Sequence, residues 1–114
     1  MKKIITTANA PAPIGPYNQA VLSGNTLYIS GQTPIDPSTG NLVSGSIEEE
    51  TLQVMKNIEA ILTAAGATFE SVVKASIFVK DMHQFKAING VYGSFFNAAT
   101  APARETIEVA NLPM

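Results

Sequence analysis

The stretch Pro-Ala-Arg-Glu-Thr-Ile-Glu-Val, residues 102–109, places a permanently charged guanidinium just after a proline and at the start of a strand-like alternation. Glu105, Ile107 and Val109 fall on one face of such a strand, and Arg104, Thr106, Glu108 and Ala110 on the other. A guanidinium fixed on a strand can grip a carboxylate through two parallel N–H···O bonds, which an ammonium cannot do. Four other polar features could converge on it. Tyr17 follows the rigid Ile-Gly-Pro turn, Ser30 and Gly31 end a strand, and Asn89 lies at the edge of a helical apolar stripe. Together they would supply hydroxyl donors, exposed backbone N–H groups and an amide around an anion. Each also has a plain structural reading: a packed aromatic, a turn and a helix residue capping a neighbour, with Arg104 itself a solubilising charge on an edge strand.

Other chemistry is absent from the chain. With no cysteine, thiolate metal sites, disulfides and cysteine nucleophiles are excluded. There is no glycine-rich phosphate loop and no cluster with metal-ligand spacing. His83 falls in the first turn of a helix, where a cation is disfavoured, and reads as a solvated surface residue. A net charge of −2 and a pI near 5.2 lack the basic footprint of a nucleic-acid binder. No signal-peptide core or membrane span is visible, so a cytoplasmic, soluble protein is expected. The 114 residues suit a single domain, 1–114. Hydrophobic residues make up 46% and charged residues only 14%, against about a quarter charged in an ordinary domain. That imbalance predicts apolar surface buried against other copies.

The elements that must position these side chains are legible in part. Ala20–Ser30 reads as two short strands around Gly24-Asn25, followed by a loop over 31–41 with Pro-Ser-Thr-Gly turn chemistry. Ser46 and Glu49 form a capping-box signature, and Ile47, Val54, Met55, Ile58, Ile61, Leu62 and Ala65 share one helical stripe that ends at Gly66. Residues 71–81 read as a strand with Val73, Ala75, Ile77 and Val79 on one face. A second helix is expected to begin at Asp81, with Gln84 in the capping-box position and a stripe of Phe85, Ile88, Tyr92, Phe95 and Phe96. The strand at 104–110 then closes a right-handed parallel crossover, giving an α+β domain with helices on one face of one sheet. The opposite face is expected to be buried in an oligomer, with Arg104 on it.

The segments Asn-Ala-Pro-Ala-Pro-Ile-Gly-Pro-Tyr-Asn-Gln-Ala-Val (9–21), Ser-Gly-Gln-Thr-Pro-Ile-Asp-Pro-Ser-Thr-Gly (30–40), the run from Phe78 to Phe96 and Pro-Ala-Arg-Glu-Thr-Ile-Glu-Val-Ala-Asn-Leu-Pro (102–113) resemble the YjgF/RidA family in register from residue 4 to 113. The family comprises reactive-intermediate (enamine/imine) deaminases and carries an older endoribonuclease L-PSP label. The resemblance implies a chorismate-mutase-like α+β fold, two helices on one face of the sheet, and a homotrimer whose sheets line a central barrel. Active sites would lie between subunits. It implies that Arg104 holds a substrate carboxylate, that Tyr17, Ser30, Gly31 and Asn89 match cleft positions, and that backbone groups near 31 and at Glu105 and Thr106 orient the imine and water. The implied reaction converts 2-aminoacrylate, 2-aminocrotonate and related 2-imino acids to 2-keto acids and ammonia, without metal or organic cofactor. The pattern departs from the family at three places. The family's last strand, with its acidic residue, has no counterpart before Met114; Thr106 stands where many relatives have cysteine; and Glu105 replaces a small hydroxyl residue beside a shortened 97–101 loop. Glu108 shares the Arg104 face but is about 13 Å along the strand, too far to serve one small substrate. A non-catalytic carboxylate-binding module on the same fold is the alternative reading.

Overall fold

The computed structural model describes residues 1–113. Its first β-group is antiparallel: β1 (Lys2–Ile5), β2 (Ala20–Ser23) and β3 (Thr26–Ile29) pair in that order. The β2–β3 hairpin turns through Gly24 and Asn25, with Ser23 opposite Thr26 and Gly24 at φ +59°. Asp36 organises the loop that follows, accepting from the Ser38 backbone N–H and hydroxyl and, through its carbonyl, from Gly40. These two bonds to Ser38 hold its carboxyl below the ordinary value.

Helix α1 (Ile47–Ala64) starts as its cap signature requires: Ser46 Oγ accepts from the Glu49 N–H at 3.1 Å, and three glutamates occupy the first turn. It ends at Gly66, whose φ of +77° lets the chain reverse while Ala67 N–H bonds the Leu62 carbonyl. The buried face of α1 meets the first β-group in a cluster of Ile5, Ala10, Ala20 and Ile61, with Leu27, Ile29, Ala60 and Ala65 packed around it. Ile61 is fully buried, which is worth about 1.5–3 kcal/mol for a side chain of this size.

A short 3-10 turn (Phe69–Ser71) leads to β4 (Lys74–Val79), and β5 (Ala103–Glu108) runs parallel to it, as the crossover rule anticipates. Between them, α2 (Phe85–Gly93) packs beside α1. Three local expectations are corrected. The strand read at 71–81 is shorter, and Val73 lies outside it, 82% exposed, because the 3-10 turn occupies its start. The second helix does not begin at Asp81. Asp81 instead caps a separate 3-10 turn (Met82–Gln84) by accepting from the His83 N–H, and Gln84 makes no capping bond. The strands also form two hydrogen-bonded groups, β1-β2-β3 and β4-β5, rather than one ladder.

Two buried amides hold loops that hydrophobic patterning does not reveal. Gln19 is 3% exposed; its Oε1 accepts from the Thr7 N–H, and its Nε2 donates to the carbonyls of Thr7, Ala10 and Pro11. Asn57 donates to the carbonyls of Thr33 and Ile35 and accepts from Gln53 Nε2. Each satisfies backbone groups that no ladder reaches. Gln19→Ala would leave the Thr7 N–H and up to three carbonyls without this partner. It is expected to cost at least about 2–3 kcal/mol in urea unfolding, with Gln19→Glu worse because a carboxylate would face those carbonyls.

Candidate functional site

Strand alternation sorts the β4–β5 pair into two faces of different chemistry. Ala75, Ile77 and Val79 stand in register with Arg104, Thr106 and Glu108, while Ser76 and Phe78 stand with Glu105 and Ile107. Arg104 lies on the helix-facing side, against the expectation that it occupies the open face. Its guanidinium carbon sits 4.9 Å from the ring centroid of Tyr92 and 5.4 Å from that of Phe85. Its Nη1 donates to Asn89 Oδ1 at 2.7 Å. Phe85, Asn89 and Tyr92 are spaced i, i+4, i+7 on α2, so one helical stripe presents two rings and an amide to one cation. An arginine carries five N–H donors, so Asn89 leaves most of them open.

Tyr92 is nearly buried, and its hydroxyl has no hydrogen-bond partner. Burial pushes its phenol above the ordinary value, against the pull of the Arg104 charge. Thr106 Oγ1 is likewise buried without a partner on the same face as Arg104. Two orphaned hydroxyls beside a guanidinium are groups a polar ligand or water could complete.

The opposite face takes the neighbouring carboxylate away from the site. Glu105 pairs with Lys74 Nζ at 2.9 Å and accepts from Ser76 Oγ at 3.0 Å, and these bonds, Lys74 first, hold its carboxyl below the usual range. Its side chain therefore does not enter the Arg104 cleft, as alternation predicted. Glu108 accepts from the Met82 N–H at 2.8 Å. His83 is almost fully exposed and pairs with Asp81.

Of the residues expected around Arg104, Asn89 is the one in direct contact. Ser30 spends its hydroxyl on the Asn18 carbonyl at 2.6 Å and its N–H on the Gln19 carbonyl at 3.0 Å. Gly31 follows in an open position where an added Cβ would meet nothing. Tyr17 is half-exposed at the end of a turn closed by its own N–H on the Gly15 carbonyl. Within one chain, Tyr17, Ser30 and Gly31 make no hydrogen bond to Arg104. Phe85 and Tyr92 were missed as site residues because their spacing reads as a core stripe. The signal that could have found them is that stripe's position in the crossover helix directly preceding an arginine-bearing strand.

Among the described residues, no group of three or more His, Asp or Glu side chains is gathered for a metal ion, and no helix is long and apolar enough to cross a membrane. A surface cavity of about 690 Å³ lies elsewhere, beside Lys56, Glu59, Thr63, Phe69 and Phe95.

Residues 7–114 match the model of a family described as Endoribonuclease L-PSP. The chain is 50% identical over 113 residues to a RutC family protein of Pyrococcus horikoshii, covering 99% of this chain and 89% of that one. It is equally 50% identical over 113 residues to the 2-iminobutanoate/2-iminopropanoate deaminase of Bos taurus, covering 99% and 82% of the two chains. The crystal structure of E. coli TdcF with bound serine superposes with a TM-score of 0.90 at 38% identity, over 97% of this chain and 88% of that one.

The Glu105–Lys74 pair has a defined pH signature. A carboxyl held below its unfolded value stabilises the fold at pH above that value, and this contribution is lost as pH falls through the lowered one. Lys74→Met should therefore narrow its gap to the parent in urea midpoint as pH drops from 6 to 3. A gap of constant size across that range would show that the pair does not titrate with folding.

Proposed function

Since this chain belongs to the endoribonuclease L-PSP family, the YjgF/RidA proteins, we propose that it is a hydrolytic deaminase of reactive 2-enamino and 2-imino acids. The substrates are 2-aminoacrylate and 2-aminocrotonate and their imine tautomers, and the products are 2-keto acids and ammonia. The observation that carries this reading is the Arg104 guanidinium, held by Asn89 and two rings with most of its donors unspent. A planar carboxylate is the anion that fits such a fork, and both the 2-imino acid substrate and the 2-keto acid product carry one. The serine bound by E. coli TdcF carries one too.

Hydrolysis then needs positioning more than machinery. Water oxygen adds to the imine carbon and one water proton moves to the imine nitrogen, giving a 2-amino-2-hydroxy acid. The C–N bond breaks as the hydroxyl proton passes to the leaving nitrogen, so ammonia departs and the ketone remains. Arg104 anchors the carboxylate and thereby fixes the reacting carbon. The backbone at Gly31, Glu105 and Thr106 orients the imine and water, and the Thr106 hydroxyl adds a polar wall.

The assembly in this proposal is a homotrimer with clefts between subunits. The exposed apolar side chains Ile4, Tyr28, Phe78 and Ile107 on the strand faces away from the helices support it. Tyr17 and Ser30 would then approach Arg104 from the neighbouring copy. The proposed setting is cytoplasmic, with no organic cofactor, metal or nucleic acid involved. A non-catalytic carboxylate-binding module has one observation in its favour: Glu105 and Glu108 are committed to Lys74 and to the Met82 N–H rather than to the cleft. In that reading the proton-moving acid is missing from the described residues.

A coupled assay separates the two. Threonine dehydratase generates 2-aminocrotonate, and 2-oxobutanoate release is followed with and without this protein. Acceleration by the parent, reduced about 10- to 100-fold in Arg104→Ala, is the expected result. Saturable binding of 2-oxobutanoate without acceleration would select the binding module instead.

A further inference from the structure

We infer that Phe85 and Tyr92 are positioning residues that fix the plane of the Arg104 guanidinium, and that the Tyr92 ring rather than its hydroxyl performs this work. The inference deepens the carboxylate-clamp reading above and rests on it only for its functional consequence. Arginine side chains lose much of their advantage when the guanidinium is free to rotate, because two parallel bonds to a carboxylate require one orientation. In-plane contact at Asn89 Oδ1 fixes one nitrogen, at 2.7 Å, but a single hydrogen bond leaves the plane free to swing about it. The two rings at 4.9 and 5.4 Å supply what that bond lacks. They back the guanidinium with apolar surface and a quadrupole attraction, so its remaining in-plane donors are left as the polar approach.

The orphaned hydroxyl of Tyr92 sharpens the assignment. It bonds nothing in the chain, so it contributes no internal hydrogen bond that could explain a tyrosine there. The ring, in contrast, touches both Arg104 and Phe96, the latter at 4.8 Å between centroids. Phe96 and Phe95 in turn pack on Phe69 at 5.2 and 5.3 Å. The cation is thus backed by an aromatic cluster that joins the end of α2 to the segment preceding β4. Neither nearby acid pairs with it: Glu105 lies on the other side with Lys74, and Glu108, on the Arg104 face but about 13 Å along the strand, accepts from the Met82 N–H.

The test uses the full chain and arginine side-chain NMR, reading rotation about the Arg104 Nε–Cζ bond, together with pyruvate titrations. In the parent, rotation should be slow and the Nε–H resonance shifted by the rings. Tyr92→Leu and Phe85→Leu should both speed rotation and weaken pyruvate binding about three- to tenfold. Tyr92→Phe should restore what Tyr92→Leu loses. In turnover, the Leu variants should raise KM more than they lower kcat, a split that general loosening of the fold would not produce. Fast rotation in the unmutated chain would overturn the inference without any variant. So would a Tyr92→Phe variant as weak as Tyr92→Leu, which would assign the role to the hydroxyl. Slow rotation released by Tyr92→Leu, in a parent that does not bind pyruvate, would uphold the cradle while removing the carboxylate reading.

Discussion

The parallel register between β4 and β5 is the constraint on which the candidate site depends. With Ala75 opposite Arg104, the guanidinium faces α2; a slip of one residue would turn Glu105 toward the helix and Arg104 toward the open face. Six paired positions, from Lys74 with Ala103 to Val79 with Glu108, hold that choice, and the buried Val79 together with Ile77 makes the alternative costly. The small side chain of Ala75 suits this place, since the long arginine beside it must cross to the helix. The crossover topology then puts α2 under β5 without any further instruction, because right-handed connection leaves one side for the helix to cover.

Charge follows from the same register. The two adjacent ionisable residues of β5 are separated onto opposite faces, and each finds a different kind of company. Glu105 meets a cation and a hydroxyl, so its charge is answered inside the chain. Arg104 meets a neutral amide and two rings, so its charge is stabilised without being cancelled. A cation kept in place but left unneutralised is the electrostatic condition for binding an anion. An internal salt bridge at the same position would have removed it. This difference in partners, rather than any unusual residue, separates the site from the ordinary ion pair on the other side of the strand.

Much of this arrangement was legible in the sequence, and the failures have physical causes. The α1 cap, its glycine stop, the Gly24-Asn25 hairpin and the parallel return of β5 rest on local rules, and all are present. Strand β1 was not anticipated, because Lys2 and Lys3 mask the two isoleucines that follow and only pairing with β2 makes the segment a strand. Gln19 and Asn57 are buried against polar expectation, since their backbone partners lie 8 to 24 residues away and no local pattern announces them. Phe85 and Tyr92 were assigned to a core stripe, which is correct for their burial and incomplete for their chemistry. The expected meeting of Tyr17, Ser30 and Gly31 with Arg104 was inferred from residue type, and one chain does not bring them into contact. Within its own chain, Ser30 engages its hydroxyl and N–H on the carbonyls of Asn18 and Gln19, just before β2.

The division of the strands into two ladders also shapes how the molecule can deform. Backbone hydrogen bonds make each β-group stiff, but none is shared across the gap between them. Their mutual angle is held instead by side chains, chiefly where α1 lies along α2. Ser30 and Gly31 follow one stiff plate, with Tyr17 in the segment just before its second strand, and Arg104 belongs to the other. The packing of α1 on α2 therefore sets the reach of one plate relative to the other. Cavity shape in such a body is governed by the packing of α1 on α2, at a distance from the residues that would touch a ligand.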